Sequence, residues 1–267
     1  MNAPSPSPEV TAVIPDLRGK AILITGASTG IGAAAARAFG RNGAKVAVNF
    51  NASVDEAEGI ADAIRTSGGE AVLVRGDVTQ AETAAAIVAR TVEAFGRLDV
   101  LVNNAGALIK RTRIEDYSDE YVDAVLELNV KQVVRFMREA TTQMRKQGGG
   151  GAIINLSSIA ARHGGGPGSV IYAAAKGFIA TATRGWAKEL VRDRIRVNAV
   201  SPGVILTPFH ERFSTAEQLA AMRTTIPMDR LGTAEECVGA FLYLASEQMS
   251  GYVTGQIIEV NGGQYMP

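Results

Sequence analysis

The sequence predicts a single α/β domain in which a doubly wound parallel sheet of about seven strands carries helices on both faces. Short apolar runs alternate with helical patterns along the chain. The runs are apolar throughout, as expected for strands buried on both faces of a parallel sheet. The 267 residues are 46% hydrophobic and no linker divides them after residue 20, so one large core is favoured over two small ones.

Strands and helices follow one another from residue 20 to the C-terminus. We expect strands at residues 20–25, 44–50, 70–75, 98–102, 152–156, 195–200 and 256–260, and helices at residues 31–42, 54–67, 83–95, 118–146, 172–192 and 234–245. Residues 1–15 are rich in proline, serine and alanine. This composition predicts a disordered N-terminal extension ahead of a domain that spans residues 16–267.

Composition argues against several classes of function. The formal net charge is zero, so no surface for nucleic acid or an anionic membrane is indicated. No apolar run is long enough to cross a bilayer, and the N-terminus lacks the pattern of a secretory signal, so a soluble, cytoplasmic protein is expected. Two histidines and a single cysteine argue against a zinc site made of protein ligands.

A glycine-rich turn joins the first strand to the first helix, in the stretch Thr25-Gly26-Ala27-Ser28-Thr29-Gly30-Ile31-Gly32. Peptide N–H groups at such a turn, together with the helix dipole, favour a pyrophosphate, and glycine lets a cofactor approach the backbone closely. The spacing is GxxxGxG rather than the commoner GxGxxG, and a turn without function is the alternative.

Tyr172 and Lys176 lie four residues apart in a predicted helix, so their side chains share one face. An ammonium beside a phenol favours the phenolate, and we therefore expect the pKa of Tyr172 to fall toward a range useful for proton exchange. This makes Tyr172 a candidate general acid/base. The same spacing also arises by chance, with the lysine merely solvated.

Several separated motifs resemble those of the short-chain dehydrogenase/reductase family, in the same order along the chain. They are Thr25 to Gly32, Asp77-Val78, Asn103 to Gly106, Asn129, Ser158, Tyr172 with Lys176, and Pro202-Gly203 with Thr207. The resemblance runs from about residue 18 to residue 263. It implies a Rossmann-like fold and an NAD(P)-dependent oxidoreductase that interconverts a secondary alcohol and a ketone or aldehyde.

The resemblance implies four catalytic residues. Tyr172 would exchange a proton with the substrate oxygen, and Lys176 would hold the nicotinamide ribose and lower the pKa of Tyr172. Ser158 would hydrogen-bond the substrate oxygen, although its neighbour Ser157 competes for that role. Asn129 would hold a water that links Lys176 to solvent, although by its residues alone it reads as an ordinary helix asparagine.

The cofactor is expected to be NADP(H), with NAD(H) or dual use as alternatives. An acidic residue at the end of the second strand would bond the ribose 2′-hydroxyl and repel a 2′-phosphate, and residues 49–53 contain none. Asn51 and Ser53 could donate to a phosphate, whereas Thr29 stands where many NADP-using members carry a basic residue. The residues expected to bind the cofactor are Gly26, Ser28, Thr29, Gly30, Ile31, Gly32, Asn49, Asn51, Ser53, Asp77, Val78, Asn104, Ala105, Gly106, Tyr172, Lys176, Pro202, Gly203, Val204 and Thr207.

The substrate is expected to lie under a flap formed by residues 204–227. Phe209 and His210 on the flap, His163 on the opposite wall and Ser158 are the candidate substrate contacts. The chain resembles both sugar dehydrogenases of the glucose 1-dehydrogenase type and 3-oxoacyl-[acyl-carrier-protein] reductases. We expect a sugar, a polyol or another small carbonyl compound as substrate.

Two alternatives stay open. An acyl-carrier substrate needs a basic docking patch, for which the candidates are Arg135, Arg138, Arg145 and Lys146. A non-catalytic NAD(P)-sensing protein would have lost a catalytic serine, tyrosine or lysine, and all three are present. The long helix and the Tyr172 helix resemble those that pair between subunits in family tetramers, so a homotetramer is expected.

Overall fold

Seven parallel strands form the central sheet of the protein. The computed structural model describes residues 11–267. Its strands are β1 (Ala21–Ile24), β2 (Lys45–Phe50), β3 (Glu70–Arg75), β4 (Val100–Asn103), β5 (Gly151–Leu156), β6 (Ile195–Pro202), β7 (Ile205–Leu206), β8 (Gly232–Thr233) and β9 (Ile257–Val260). The large sheet has the order β3-β2-β1-β4-β5-β6-β9, whereas β7 and β8 pair only with each other. The predicted doubly wound, seven-stranded sheet is confirmed.

Eleven helices occur in the described part of the chain. They are α1 (Gly30–Arg41), α2 (Val54–Thr66), α3 (Thr83–Phe95), α4 (Asp119–Leu126), α5 (Gln132–Gln147), α6 (Ala160–His163), α7 (Val170–Leu190), α8 (Pro208–Phe213), α9 (Ala216–Arg223), α10 (Ala234–Ala245) and α11 (Glu247–Ser250). The helix predicted at 118–146 is interrupted by a π-helical turn at Glu127–Lys131. The four short helices α6, α8, α9 and α11 were not predicted, because a segment this short shows too few turns for a helical pattern of apolar residues to be recognised.

Two hydrophobic cores lie on opposite faces of the sheet. Ile22 and Ile24 of β1 belong to the core that contains α1, α2 and α10, whereas Leu23 between them belongs to the core of α3, α5 and α7. The side chains of a strand point alternately to its two faces, so a strand buried on both faces must be apolar at every position. This is why the strands read as continuous apolar runs.

The N-terminal boundary of the domain lies earlier than predicted. Residues 1–10 of the expected disordered extension lie outside the described residues. Ile14, which the prediction assigns to that extension, is buried and its backbone N–H donates to the side-chain oxygen of Asn42 at 2.6 Å. Ile14 therefore belongs to the folded core, since its apolar side chain packs there and its amide is paired.

The sheet order reverses between β1 and β4, which are neighbours although two strands separate them along the chain. A crevice forms at the carboxyl ends of the strands at such a point, and open α/β sheets bind ligands there. Val134 of α5 and Phe178 of α7 are exposed on the two helices that were expected to pair between subunits, and the tetramer stays a prediction. Among residues 11–267, no helix is both long enough and apolar enough to span a membrane.

Candidate active site

One cavity of about 550 Å³ lies at the carboxyl ends of the strands and gathers most of the predicted site. Of the predicted residues, all but Gly32, Ser53 and Asn129 line it. Its lining extends from the glycine-rich turn and the ends of β2 and β3 to Ser158, Tyr172 and the flap. Residues that are scattered over nearly two hundred positions in the sequence therefore share one crevice.

The glycine-rich turn has the backbone that its glycines allow. Gly26 and Gly30 have φ of +61° and +56°, a region that residues with a Cβ rarely adopt. Helix α1 begins at Gly30, so its unpaired N–H groups face the cavity that this turn lines. This arrangement fits the pyrophosphate of a dinucleotide.

Asn104 ties the turn to the end of β4. Its side-chain amide donates to the carbonyl oxygens of Thr25 and Gly26, both at 2.9 Å. Gly32 packs directly on this junction, since a Cβ there would lie 2.5 Å from the amide nitrogen of Asn104 and 2.6 Å from the carbonyl oxygen of Gly26. Gly32 thus does not line the cavity but permits the close contact that shapes it.

Tyr172, Ser158 and Lys176 meet at the other end of the cavity. The Ser158 side chain lies near the phenol of Tyr172 and acts to lower its pKa, and its hydroxyl accepts from the backbone N–H of Ala160 at 3.1 Å. The neighbouring Ser157 is buried and donates to the carbonyl oxygen of Lys176 at 3.0 Å. Of the two adjacent serines, Ser158 is the one whose hydroxyl meets the tyrosine.

The predicted direction of the Tyr172 pKa shift is wrong for this structure. Burial raises the pKa of Tyr172 to about 12, and the nearby Ser158 side chain opposes only part of this rise. The ammonium of Lys176 lies 5.7 Å from the centre of the tyrosine ring and donates to the carbonyl oxygen of Leu156 at 2.9 Å. Burial lowers the pKa of Lys176 to about 8, so at neutral pH the phenol is protonated and the lysine is mostly charged.

Asn129 lies in the π-helical turn, completely buried behind Gly106. Its amide nitrogen donates to the carbonyl oxygens of Ala107 at 2.9 Å and Val125 at 3.0 Å. Its amide oxygen has no hydrogen-bond partner among the described residues. A Cβ on Gly106 would lie 2.8 Å from this oxygen and 3.0 Å from the Lys176 nitrogen, so the free acceptor and the ammonium border the same glycine.

Asn49 and Ser53, near the end of β2, differ in their position relative to the cavity, since Asn49 lines it and Ser53 does not. The side chain of Asn49 is buried, accepts from the N–H of Gly26 at 3.1 Å and donates to the carbonyl oxygens of Val74 and Gly76, both at 3.1 Å. It holds the turn against β3, and its hydrogen-bonding groups are used within the protein. Ser53 precedes α2 and does not line the cavity, whereas the exposed Asn51 does.

The flap consists of α8 and α9 and is closed at its base by the pairing of β7 with β8. Because Ile205 pairs with Gly232, the flap ends a few residues later than the predicted boundary at 227. The ring of Phe209 lies 5.8 Å from that of Tyr172 and 5.1 Å from that of His210. Burial, and next the charge of Arg111, lower the pKa of His210 to about 4, so this side chain is neutral at pH 7.

Comparisons with known proteins identify the family. Residues 26–264 match a family model described as enoyl-(acyl carrier protein) reductase. The 3-oxoacyl-[acyl-carrier-protein] reductase FabG of Staphylococcus aureus is 38% identical over 251 residues, which cover 92% of this chain and 98% of that protein. A solved short-chain type dehydrogenase/reductase from Mycobacterium marinum has a TM-score of 0.89 and 37% identity, covering 94% of this chain and 98% of its own. The chain belongs to the short-chain dehydrogenase/reductase family.

The resemblance seen in the sequence is therefore confirmed, and this short-chain dehydrogenase/reductase is an NAD(P)-dependent oxidoreductase. A further solved relative, the NADH-dependent reductase A1-R′ complexed with NAD, has a TM-score of 0.84 and 39% identity. It covers 94% of this chain and 99% of its own. The family binds NAD(P), in agreement with the glycine-rich turn.

The sequence analysis did not single out two arginines of this dehydrogenase/reductase: Arg75, which contacts the cavity-lining Asn51, and Arg111, which lines the cavity itself. Arg75 ends β3, where it is exposed and its Nε donates to the carbonyl oxygen of Asn51 at 3.1 Å. Arg111 follows β4 and lines the cavity beside the flap. Neither lies in a recognisable motif. The sequence did contain one signal for Arg75: aligning the two predicted parallel strands sets it opposite Phe50, at the end of both strands.

Proposed function

We propose that this short-chain dehydrogenase/reductase interconverts a secondary alcohol and a ketone or aldehyde on a sugar, a polyol or another small carbonyl compound. The observation that carries the proposal is that Tyr172 and Ser158 lie together in the same cavity as the glycine-rich turn. A protonated phenol and a hydroxyl that meet at one point can both hydrogen-bond a single carbonyl oxygen. This geometry supports proton transfer to a substrate oxygen.

The residues of the chain divide the chemical work. A bound nicotinamide supplies the hydride in reduction or takes it up in oxidation. Tyr172 donates its proton to the substrate oxygen in reduction, and Ser158 stabilises the negative charge that develops there. The charged Lys176 lies next to the tyrosine ring and favours the phenolate left by that transfer. The free oxygen of Asn129, beside Lys176, offers an acceptor for the water that would return the proton.

The surface of α5 supports a small substrate over an acyl chain on a carrier protein. Three of the four basic residues that could form a docking patch are paired with acids: Arg135 with Glu127, Arg138 with Glu139 and Arg145 with Asp193. Such pairing reduces the positive charge available to an acidic partner. The 38% identity to a 3-oxoacyl-[acyl-carrier-protein] reductase keeps that activity as the second candidate.

The proposal is tested by following the absorbance of reduced nicotinamide with a panel of substrates. Sugars, polyols, simple secondary alcohols and 3-oxoacyl thioesters are each assayed with NAD(H) and NADP(H). We expect turnover with a sugar, polyol or other small carbonyl compound. Turnover confined to the thioesters would favour the second candidate, and tight cofactor binding without any turnover would favour a sensing protein.

The preference for NADP(H) is also part of the proposal, and Arg75 gives it a basis that the sequence analysis lacked. The guanidinium is held beside Asn51 through one N–H, and it forms no ion pair with any residue of the described chain. Asn51 lines the cavity. Asp77, the only acid that the described residues contribute to the lining, accepts hydrogen bonds from the backbone and hydroxyl of Thr79 at 2.9 and 2.8 Å. An exposed arginine without an acidic partner at this place suits a 2′-phosphate.

Substitution of this arginine, Arg75→Gln, is expected to weaken NADP⁺ binding by roughly tenfold to a hundredfold, because a charge-assisted hydrogen bond is lost. NAD⁺ binding should change less than about twofold, since it lacks the phosphate. Calorimetric titration of both cofactors measures the difference. Arg65→Gln, an exposed arginine of α2 paired with Asp62, is the matched control and should alter neither affinity. An equal loss for both cofactors would show that Arg75 only supports the local backbone.

A further inference from the structure

The substrate end of the cavity carries an unbalanced positive charge. Among residues 11–267, Asp77 is the only acidic residue in the cavity lining, and it follows the end of β3, among the residues expected to hold the adenine. The other charged or titratable side chains that line the cavity near Tyr172 and the flap are Lys176, Arg111, His163 and His210. Lys176 already donates to a backbone carbonyl and belongs to the proton-transfer machinery. Arg111 is the cation that the proposed mechanism does not use.

The guanidinium of Arg111 is fixed in place by two neutral acceptors. Its Nε donates to the carbonyl oxygen of Phe213 on the flap at 2.9 Å, and its Nη1 donates to the carbonyl oxygen of Pro167 on the opposite wall at 3.0 Å. A guanidinium has five N–H donors, so three stay available after these two bonds. In the described part of the chain Arg111 forms no ion pair, unlike most of the other arginines of this protein.

A partly buried cation without a counter-ion is costly, and it attracts an anion to the space that it borders. Burial, and next the charge of Arg111, lower the pKa of His210, so the guanidinium acts on the side chain that lines the cavity beside it. Arginine presents two parallel N–H groups that match the two oxygens of a carboxylate. The cavity therefore offers a proton donor, Tyr172, and a carboxylate-binding group, Arg111, to one ligand.

We infer that the substrate is a small oxo acid or hydroxy acid, whose carbonyl or alcohol oxygen lies at Tyr172 and Ser158 and whose carboxylate is bound by Arg111. The inference rests on the proposed function, because it concerns the same site, and it narrows the substrate from carbonyl compounds in general to those with an acid group. Arg111 is then a specificity-determining residue. Because Arg111 donates to carbonyl oxygens of both the flap and the opposite wall, both segments help to position the group that binds the carboxylate.

Binding is measured without turnover, so that this inference and the proposed activity can fail separately. The protein is saturated with the oxidised cofactor that it binds more tightly, and 2-oxopentanoate and 4-oxopentanoate are titrated beside their methyl esters by calorimetry. The histidine resonances report the site, since His210 is one of only two histidines and His210→Asn assigns its signal. We expect an acid to bind at least about tenfold more tightly than its ester and to shift the His210 resonance.

Arg111→Gln should remove the advantage of the acid and leave the affinity of the ester within about twofold. Arg111→Lys keeps the positive charge but lacks the two parallel N–H groups, so it should retain part of the tighter binding of the acid over the ester. Arg113→Gln is the matched control, an exposed arginine two positions along the chain that does not line the cavity. Equal losses for acid and ester would make Arg111 only a brace for the flap and overturn the inference. Acid binding no tighter than ester binding, or no saturable binding of either acid, would overturn it as well.

Discussion

Tyr172→Phe is expected to lower kcat by roughly a hundredfold to ten-thousandfold, the usual contribution of a positioned general acid/base. The substitution removes only the phenolic oxygen, whose proton is held at neutral pH because burial raises the pKa of Tyr172 to about 12. The fold should be kept, since Ser158 retains its hydrogen bond from the N–H of Ala160. Steady-state kinetics with the substrate found in the panel, together with cofactor titration, measures the effect.

The control for this variant is Tyr121→Phe. Tyr121 is also buried and its hydroxyl donates to the carbonyl oxygen of Lys110 at 3.4 Å, outside the cavity lining. This variant should keep kcat within about twofold, because surrounding packing is retained and no proton donor is lost. If Tyr172→Phe keeps more than about a tenth of the kcat of the unaltered protein, proton donation by Tyr172 is excluded. Unchanged cofactor affinity in that variant would separate lost chemistry from lost binding.

Gly32→Ala should reduce kcat/KM on the order of a hundredfold, since displacing the cofactor turn by about 1 Å costs this much in positioning. The new methyl group would meet the backbone oxygen of Gly26 at 2.6 Å and the Asn104 amide at 2.5 Å, so the turn or the end of β4 must move. Overpacking of this kind also costs roughly 1–3 kcal/mol of the free energy of unfolding. Cofactor titration and thermal unfolding measure the two effects.

A matched glycine shows whether the effect belongs to the site. Gly239 is exposed in α10 and a Cβ there meets nothing within 4 Å. Gly239→Ala should therefore leave the kinetics unchanged and stabilise the protein by up to about 1 kcal/mol, because alanine is the better helix former. Cofactor affinity in Gly32→Ala equal to that of the unaltered protein would contradict the role assigned to the junction with Asn104.

The sheet and the position of the cavity could be predicted because they depend on local patterns. Each central strand is a continuous apolar run, and parallel connectivity then fixes which strand ends meet. The glycine-rich turn and the Tyr172 pair were visible for the same reason, since a strand-to-helix turn and a four-residue spacing are local features. These residues needed no knowledge of the rest of the chain.

The remaining features depend on burial and on contacts between distant segments. The pKa of Tyr172 moves upward because the residue is enclosed, and the degree of enclosure is not written in the spacing to Lys176. Asn49 was expected among the cofactor-binding residues, but whether its side chain is free depends on distant segments: the amide bonds Gly26, Val74 and Gly76. The positions of Arg75 and Arg111 depend on the strand register, which sets Arg75 beside the end of β2, and on the flap, which bonds Arg111 at the cavity.

The pairing of β7 with β8 sets the flap apart as an exchangeable unit. Its two ends lie side by side, with Ile205 opposite Gly232 and Leu206 opposite Thr233. A segment whose two ends are adjacent can lengthen, shorten or change in sequence at small cost to the sheet, because the entropic cost of closing a loop rises only slowly with its length. The side chains that select the substrate can thus diverge independently of those that transfer the proton. A new substrate specificity can arise in the flap while Tyr172, Ser158 and Lys176 stay unchanged.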